Sequence, residues 1–560
     1  MMVPFLILAL LLVPTPTNSQ SQVAAGYRIS GMVVDAVTQG PVGRAQVSIS
    51  LGNDTATTTA GDDGRFVFAG LQPGKYVLNA TAPGYVREGY HQHGSFFVGI
   101  AVGDGQDSEH LIFRLHPQAV IYGRVTDERG GAVRGAQVLL IASDLTRGGR
   151  PKFVRAQMPT NDLGEYRFAH LNSGKYYLAV QAHPWYAQSQ LSSQTRQAPG
   201  FVGSRAGSSF VSRISIDADP ILDVVYPITF YSGVTDERSS EELALDAGQQ
   251  EQANITLHAV PAVHLRLTGL SQSDGSSLNV GATQRVFGAL SLGLGITFGQ
   301  VSPGEYEVAG LPPGQLTFAV TTNKENQWTS RTIEADSSLG GVLDASALQT
   351  TAKVSGRILL PAGAADTRAA DLILVSNTAT TWPGANAPLQ SDGTFQFPGI
   401  QPGTYKIQVN LRAGGYYVQK VSAKNAEVSG REITITGASD VNLTVTMGQG
   451  LGEVTGVVQL DGKPIAGVMV LLVPESGLEM DEDSRMDESD SDGTFRLAGI
   501  LPGEYILLAI KDGWDVDWAK PEALKPYLSA GQKVTIAPNQ SVKITALARE
   551  KTEKTEKVRQ

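Results

Sequence analysis

Asp63-Gly64-Arg65-Phe66-Val67-Phe68, followed by Leu71-Gln72-Pro73-Gly74-Lys75-Tyr76-Val77-Leu78, is the stretch that decides the fold. Asp-Gly supplies the positive φ of a tight turn, and Phe66 and Phe68 then alternate with Arg65 and Val67 as a half-buried strand does. Pro73-Gly74 fits a type II turn, proline fixing φ at the second position and glycine taking the third. Tyr76, Leu78 and Ala80 alternate again beyond it. The stretch reads as a β-hairpin and its return strand.

The same layout occurs five times. Gly64, Gly164, Gly304, Gly393 and Gly493 are each followed ten residues later by a second glycine: Gly74, Gly174, Gly314, Gly403 and Gly503. An aliphatic residue (Leu71, Leu171, Leu311, Ile400, Ile500) stands between them each time. A spacing held so often marks an internal repeat, and all ten glycines are expected to be turn residues at positive φ.

Upstream, Gly31-Met32-Val33-Val34-Asp35 leads into Gly40-Pro41-Val42-Gly43-Arg44-Ala45-Gln46-Val47, with counterparts beginning at Gly123 and Gly456. Gly356-Arg357-Ile358 opens the fourth unit without the following turn, and the third, starting near Val263, has lost most of this front half. Short apolar strands at Leu111–Leu115, Ile255–Leu257, Leu443–Val445 and Val542–Ile544 close the units. No long stretch carries the helical period, so the class is all-β.

The order G-x-V-x-D, G-x-P-x-x-G-A-x-V, D-G-x-F-x-F, L-x-P-G-x-Y resembles the carboxypeptidase regulatory-like domain. That family is similar to transthyretin, to adhesin B-type repeats and to carbohydrate-binding modules. The resemblance implies a tandem array of small antiparallel, Greek-key β-sandwiches that are non-catalytic and belong to secreted or surface bacterial proteins. The expected units are residues 26–116, 117–258, 259–351 (divergent), 352–446 and 447–548. A surface insertion is expected at 186–216 and a charged, solvated tail at 549–560. Few residues separate one unit from the next, which predicts an elongated monomer.

Composition agrees. With 41% hydrophobic residues the chain has ample material for packed cores, and its 62 glycines follow no three-residue period, which excludes collagen. The absence of cysteine excludes disulfides, thiolate metal sites and cysteine nucleophiles, and a net charge of −10 argues against nucleic acid as a partner. Phe5 to Val13 is an apolar run with Ser19 soon after it, which reads as a signal peptide over 1–19. No later run reaches the eighteen apolar residues of a membrane span. The expected location is secreted, periplasmic or on the cell surface.

Motifs for catalysis are missing: no H-E-x-x-H, no G-x-S-x-G and no P-loop occurs. His91-Gln92-His93 is a close histidine pair without a third ligand. Glu488, Asp490 and Asp492, followed by Gly493, mimic the start of a calcium loop, although Gly499 stands where the bidentate glutamate belongs. The competing account of the stretch Glu479 to Asp492 is a solvated inter-strand loop. Trp514 and Trp518 are the candidate sugar-stacking platform, with Asp515 and Asp517 beside them to accept hydroxyl hydrogen bonds. The competing account folds Trp514 back onto the core. Lys353 with Asn442 comes nearest to an intramolecular amide crosslink. The expected function is a non-catalytic binding, adhesion or spacer protein with a polysaccharide or cell-envelope protein as partner. The alternative is an accessory subunit of a separately encoded hydrolase or peptidase.

Overall fold

The computed structural model describes residues 26–142, 153–187, 220–270, 277–288, 290–302, 304–324, 327–345, 351–361, 371–376, 385–411, 415–475, 483–518 and 520–551. The signal peptide, the 186–216 insertion from residue 188 onward, and the tail from residue 552 lie outside them.

The first unit shows the plan. Tyr27–Asp35 is the middle strand of a three-stranded sheet, flanked by Arg65–Leu71 and Leu111–Leu115. The facing sheet is built from Asp54–Thr59, Gln46–Leu51 and Gly74–Thr81, with Glu88–Gly89 and Ile100–Val102 also paired to Gly74–Thr81. Ile29, Val33, Val47, Phe66, Phe68, Leu78 and Phe113 fill the space between. The alternation read from the sequence holds: Phe66 and Phe68 are buried while Arg65 and Val67 are exposed. Separate buried clusters recur around Leu140 and Phe168, Phe318 and Val308, Phe397 and Leu443, and Phe495 and Tyr505. The chain is all-β, and it carries a short α-helix, Pro521–Leu528, where the sequence pattern offered none.

The connectivity corrects the hairpin reading. Arg65–Leu71 pairs with Tyr27–Asp35, and the strands before and after it both belong to the opposite sheet. Asp-Gly and Pro-Gly therefore carry the chain between sheets rather than around a hairpin. Only in the third unit, among the described residues, do the strands flanking the Asp-Gly position pair directly, as Thr297–Ser302 with Glu305–Leu311.

The sandwich is also not purely antiparallel. In all five units the closing strand runs parallel to the opening one, as with Tyr27–Asp35 beside Leu111–Leu115 and Gly452–Leu460 beside Ser541–Leu547. This pairing explains the glycine of G-x-V-x-D. A Cβ on Gly31, Gly123, Gly356 or Gly456 would lie 2.2, 1.9, 2.1 or 1.8 Å from the carbonyl oxygen of Leu111, Ala253, Leu443 or Ile544. No side chain fits there. The aspartate ends the strand: Asp35 Oδ1 accepts the N–H groups of Val37 and Thr38, and Oδ2 accepts the Tyr85 hydroxyl.

The first glycine of each repeat behaves as expected. Gly64, Gly164, Gly304, Gly393 and Gly493 have φ of 76, 76, 79, 77 and 78°. The second does not form a type II turn, which needs about +80°. Gly74, Gly174 and Gly403 lie at 159, 153 and 155°, Gly314 at 130°, and Gly503 is outside the positive region. In four of the five units a tyrosine two residues on holds the corner, while the third has Leu316 in its place and departs as well. Tyr76, Tyr176, Tyr405 and Tyr505 donate their hydroxyls to the carbonyls of Gln72, Asn172, Gln401 and Leu501, 3.0, 2.9, 2.8 and 2.8 Å away. Each ring thus pins a corner between sheets, a device related to the tyrosine corner of other sandwiches.

A bulge repeats as well, at the residue before the terminal aliphatic, which is glycine in four of the five units. The pairing of every aromatic strand slips before its terminal aliphatic, for instance between Phe68 and Leu71 or Ala498 and Ile500. Gly70, His170, Gly310 and Gly499 hold left-handed conformations at it, with φ of 73, 57, 76 and 68°.

Consecutive units touch. Gln118 N–H donates to Gly84 O between the first and second. His264 of the third bridges Asp223 and Glu307, both at 2.7 Å. Thr329 opposite Ala385 joins the third and fourth in one nine-stranded sheet, and Arg431 pairs with Asp483 at 2.8 Å between the fourth and fifth.

Candidate functional site

The acidic stretch of the fifth unit is not a solvated loop where the structure describes it. Arg485–Glu488 is a strand paired with Met469–Leu472, and it buries the Glu488 side chain completely. Ser489 anchors the end of this strand, its hydroxyl donating to Ile465 O and accepting the Val468 N–H. Asp490 and Ser491 then lead into the Asp492-Gly493 turn.

The first unit supplies the opposing surface. His93 and Phe96 close a small loop through reciprocal backbone hydrogen bonds of 2.8 and 3.0 Å, and Val98, Gly99 and strand Ile100–Val102 continue from it. Lys75 Nζ lies 2.5 Å from Asp490 Oδ2 and also donates to the Thr494 hydroxyl. Asp490 Oδ1 accepts the Gly99 N–H at 3.0 Å. Ser491 donates its N–H to Gly99 O at 2.9 Å and accepts the Ala101 N–H on its hydroxyl at 2.8 Å. His93 Nδ1 sits 2.9 Å from Glu488 Oε1, and its ring stacks on Trp514 with centroids 4.7 Å apart and planes 1° apart. Phe96 flanks the same indole at 5.8 Å.

Burial sets the electrostatics. Loss of solvent pushes the Glu488 carboxyl up, opposed by the hydrogen bond and charge of His93. Asp490 is raised for the same reason against the pull of Lys75. Burial takes Asp487, which accepts the Arg496 N–H, to about 6. Glu488 Oε2 is buried without a hydrogen-bond partner among the described residues.

The calcium arrangement is therefore not formed. Glu488 turns to His93, Asp490 to Lys75 and Gly99, and Asp492 to the N–H and hydroxyl of Thr494. Among the described residues no three His, Asp or Glu side chains converge as a metal site. The tryptophans form no open platform either. Trp518 is 5% exposed and packs beside Leu524 and Tyr527 of the short helix, while Trp514 is covered by His93. Asp515 is paired with Lys551, and Asp517 with Lys520 at 2.5 Å. The tail also differs from expectation at its start, where Arg549–Glu550 pairs with Ile510 and Lys511. Lys353 and Asn442 are both exposed, unlike a buried crosslink pair.

Four residues singled out separately in the sequence come together in the structure: His93, Glu488, Asp490 and Trp514. Lys75 and Gly99 complete the site and carried no signal, because nothing in a sequence says that residues about 400 positions apart meet. Two open grooves also recur, of about 970 and 860 Å³, over the glycine strands of the second and fourth units. Tyr122, Arg124, Arg167 and Asn254 line the first, and Arg357, Gln396 and Asn442 the second.

Comparison with known families matches residues 28–115, the first sandwich with its parallel closing strand, to the carboxypeptidase regulatory-like domain. The first unit is similar to that domain over nearly its whole length. No curated protein matches the chain. Among solved structures, the minor pilin of Streptococcus agalactiae is 18% identical, over 37% of this chain and 99% of its own, with a TM-score of 0.20. The Bacillus anthracis TIE protein is 11% identical over 94% of this chain and 68% of its own, with a TM-score of 0.15. The major pilin subunit of Bacillus cereus is 13% identical over 77% of this chain and 99% of its own, at 0.14. Scores this low carry nothing about function.

Proposed function

We propose that the chain is a non-catalytic protein of the bacterial cell surface or periplasm, in which five regulatory-like sandwiches act as a scaffold that spaces and presents binding surfaces. The observation that carries this reading is the use made of the repeated residues. The strand glycine admits a backbone carbonyl, the aspartate ends a strand, the turn glycine crosses between sheets and the tyrosine pins a corner. Each serves the framework, and the outward-facing residues are left to differ between units. The grooves over the second and fourth units, with their arginine, asparagine and tyrosine side chains, are the surfaces offered to a polysaccharide or envelope protein. Expression in a secreting bacterial host tests the location: mass spectrometry should find a chain beginning at Gln20 outside the cytoplasm, and an uncleaved cytoplasmic chain would refute it. A glycan array with the full chain tests the sugar arm, where binding that survives Tyr122→Ala and Arg124→Ala would exclude the second-unit groove.

A further inference from the structure

The contacts between the first and fifth units are of a kind that a chance encounter of two surfaces does not make. A fully buried glutamate faces a histidine, an aspartate receives both a lysine and a backbone N–H, and a tryptophan ring is covered face to face. Buried charges persist where they are paired, and the partners of Glu488 and Asp490 come from the other end of the chain. Ser491 adds two hydrogen bonds to the backbone of the first unit, its N–H donating to Gly99 O and its hydroxyl accepting the Ala101 N–H. Consecutive units already touch at each of the four other junctions, so this contact completes a circuit.

We infer that the fifth unit carries a docking surface for the first unit of the same chain, built on Glu488, Asp490, Ser491 and Trp514, and that its occupation closes the array into a ring. The contact joins two different surfaces. Made between chains instead of within one, it would generate an open filament or a multi-chain ring. Closure within the chain is favoured because four intact junctions hold the two surfaces at high effective concentration. The ring replaces the elongated shape expected from the short linkers.

The cysteine-free sequence allows a direct test. A Cβ built on Gly99 lies 3.2 Å from Asp490 Cγ, where a cysteine sulfur would sit, so Gly99→Cys with Asp490→Cys is within disulfide reach. In the full-length chain under mild oxidation, most molecules should form an intrachain disulfide in the monomer fraction, identified by the crosslinked peptide. A disulfide found only between chains, or free thiols together with an extended wild-type chain in the scattering below, would overturn the inference. Wild-type chain, which needs no substitution to fold, gives the second measurement. Small-angle scattering should return a longest dimension of roughly 90 Å for a ring of five such units, against roughly 170 Å for the same units in line. A dimension near the larger value would refute closure.

Discussion

Replacing Gly456 with alanine isolates the parallel strand pair that closes each unit. The new Cβ would fall 1.8 Å from the Ile544 carbonyl oxygen and 2.9 Å from a ring carbon of Phe495. An unstrained carbon–oxygen contact needs about 3.3 Å, so the strands must part by roughly 1.5 Å. Overfilling a packed site costs about 1–3 kcal/mol when side chains can adjust. Here the obstacle is backbone within a ladder running from Glu453–Ser541 to Gln459–Leu547, and parting it weakens one or two hydrogen bonds worth about 1 kcal/mol each. The expected loss is about 3–5 kcal/mol. A single melting temperature is not well defined for several linked units, so hydrogen exchange of the full chain, read peptide by peptide, is the assay. Protection over 453–459 and 541–547 should fall by roughly 100-fold or more, at about 1.4 kcal/mol per factor of ten. Gly462→Ala is the control: its φ is 77° and no atom lies within 4 Å of its Cβ, so it bears only backbone strain of about 1–2 kcal/mol. Equal losses of protection in the two variants would refute the close-approach explanation.

Tyr505→Phe removes the hydroxyl that reaches Leu501 O from a fully buried ring, and should lower the stability of the fifth unit by about 1–2 kcal/mol, read by hydrogen exchange over 494–510. Gly499→Ala places a Cβ in open space but at φ 68°, so it should cost about 1 kcal/mol, and aspartate or asparagine there should cost less than valine. Burial raises the Asp487 carboxyl from 3.8 to about 6, so its contribution to stability is fully present below pH 3.8 and is lost as pH rises through about 6. Protection of strand 485–488, corrected for intrinsic exchange, should therefore be greater at pH 4.5 than at pH 7.5, and Asp487→Asn should flatten that difference.

Legibility in the sequence tracks the range of the interactions. Strand alternation and the Asp-Gly turns depend on neighbours within a few residues, so Phe66, Phe68 and Gly64 can be placed from the sequence alone. The sheet each strand joins depends on partners 30 to 80 residues away, as with Gly31 opposite both Phe66 and Leu111. That is why a crossover reads as a hairpin. At the Pro-Gly corner, Tyr76 and three counterparts look like core residues only, and nothing local announces that their hydroxyls also tie the corner down. Trp514, Glu488 and Asp490 look in the sequence like exposed chemistry in search of a ligand. Their partners are Lys75 and His93, and no local pattern announces a contact that spans the chain. The short helix escapes because Pro521 at its start and Pro526 inside it read as loop punctuation.

The parallel pairing of opening and closing strands has a mechanical consequence. Tension applied through the chain pulls Tyr27–Asp35 backwards from its first residue and Leu111–Leu115 forwards from its last. The two strands are loaded in opposite directions along their length, so the rungs between them are sheared together instead of peeled one at a time. Every unit has this geometry, and each therefore resists stretching through a whole ladder at once. In the closed arrangement the load divides at the first unit between the covalent chain and its contact with Asp490 and Glu488. The weaker path yields first, which lets the array lengthen before any sandwich has to unfold.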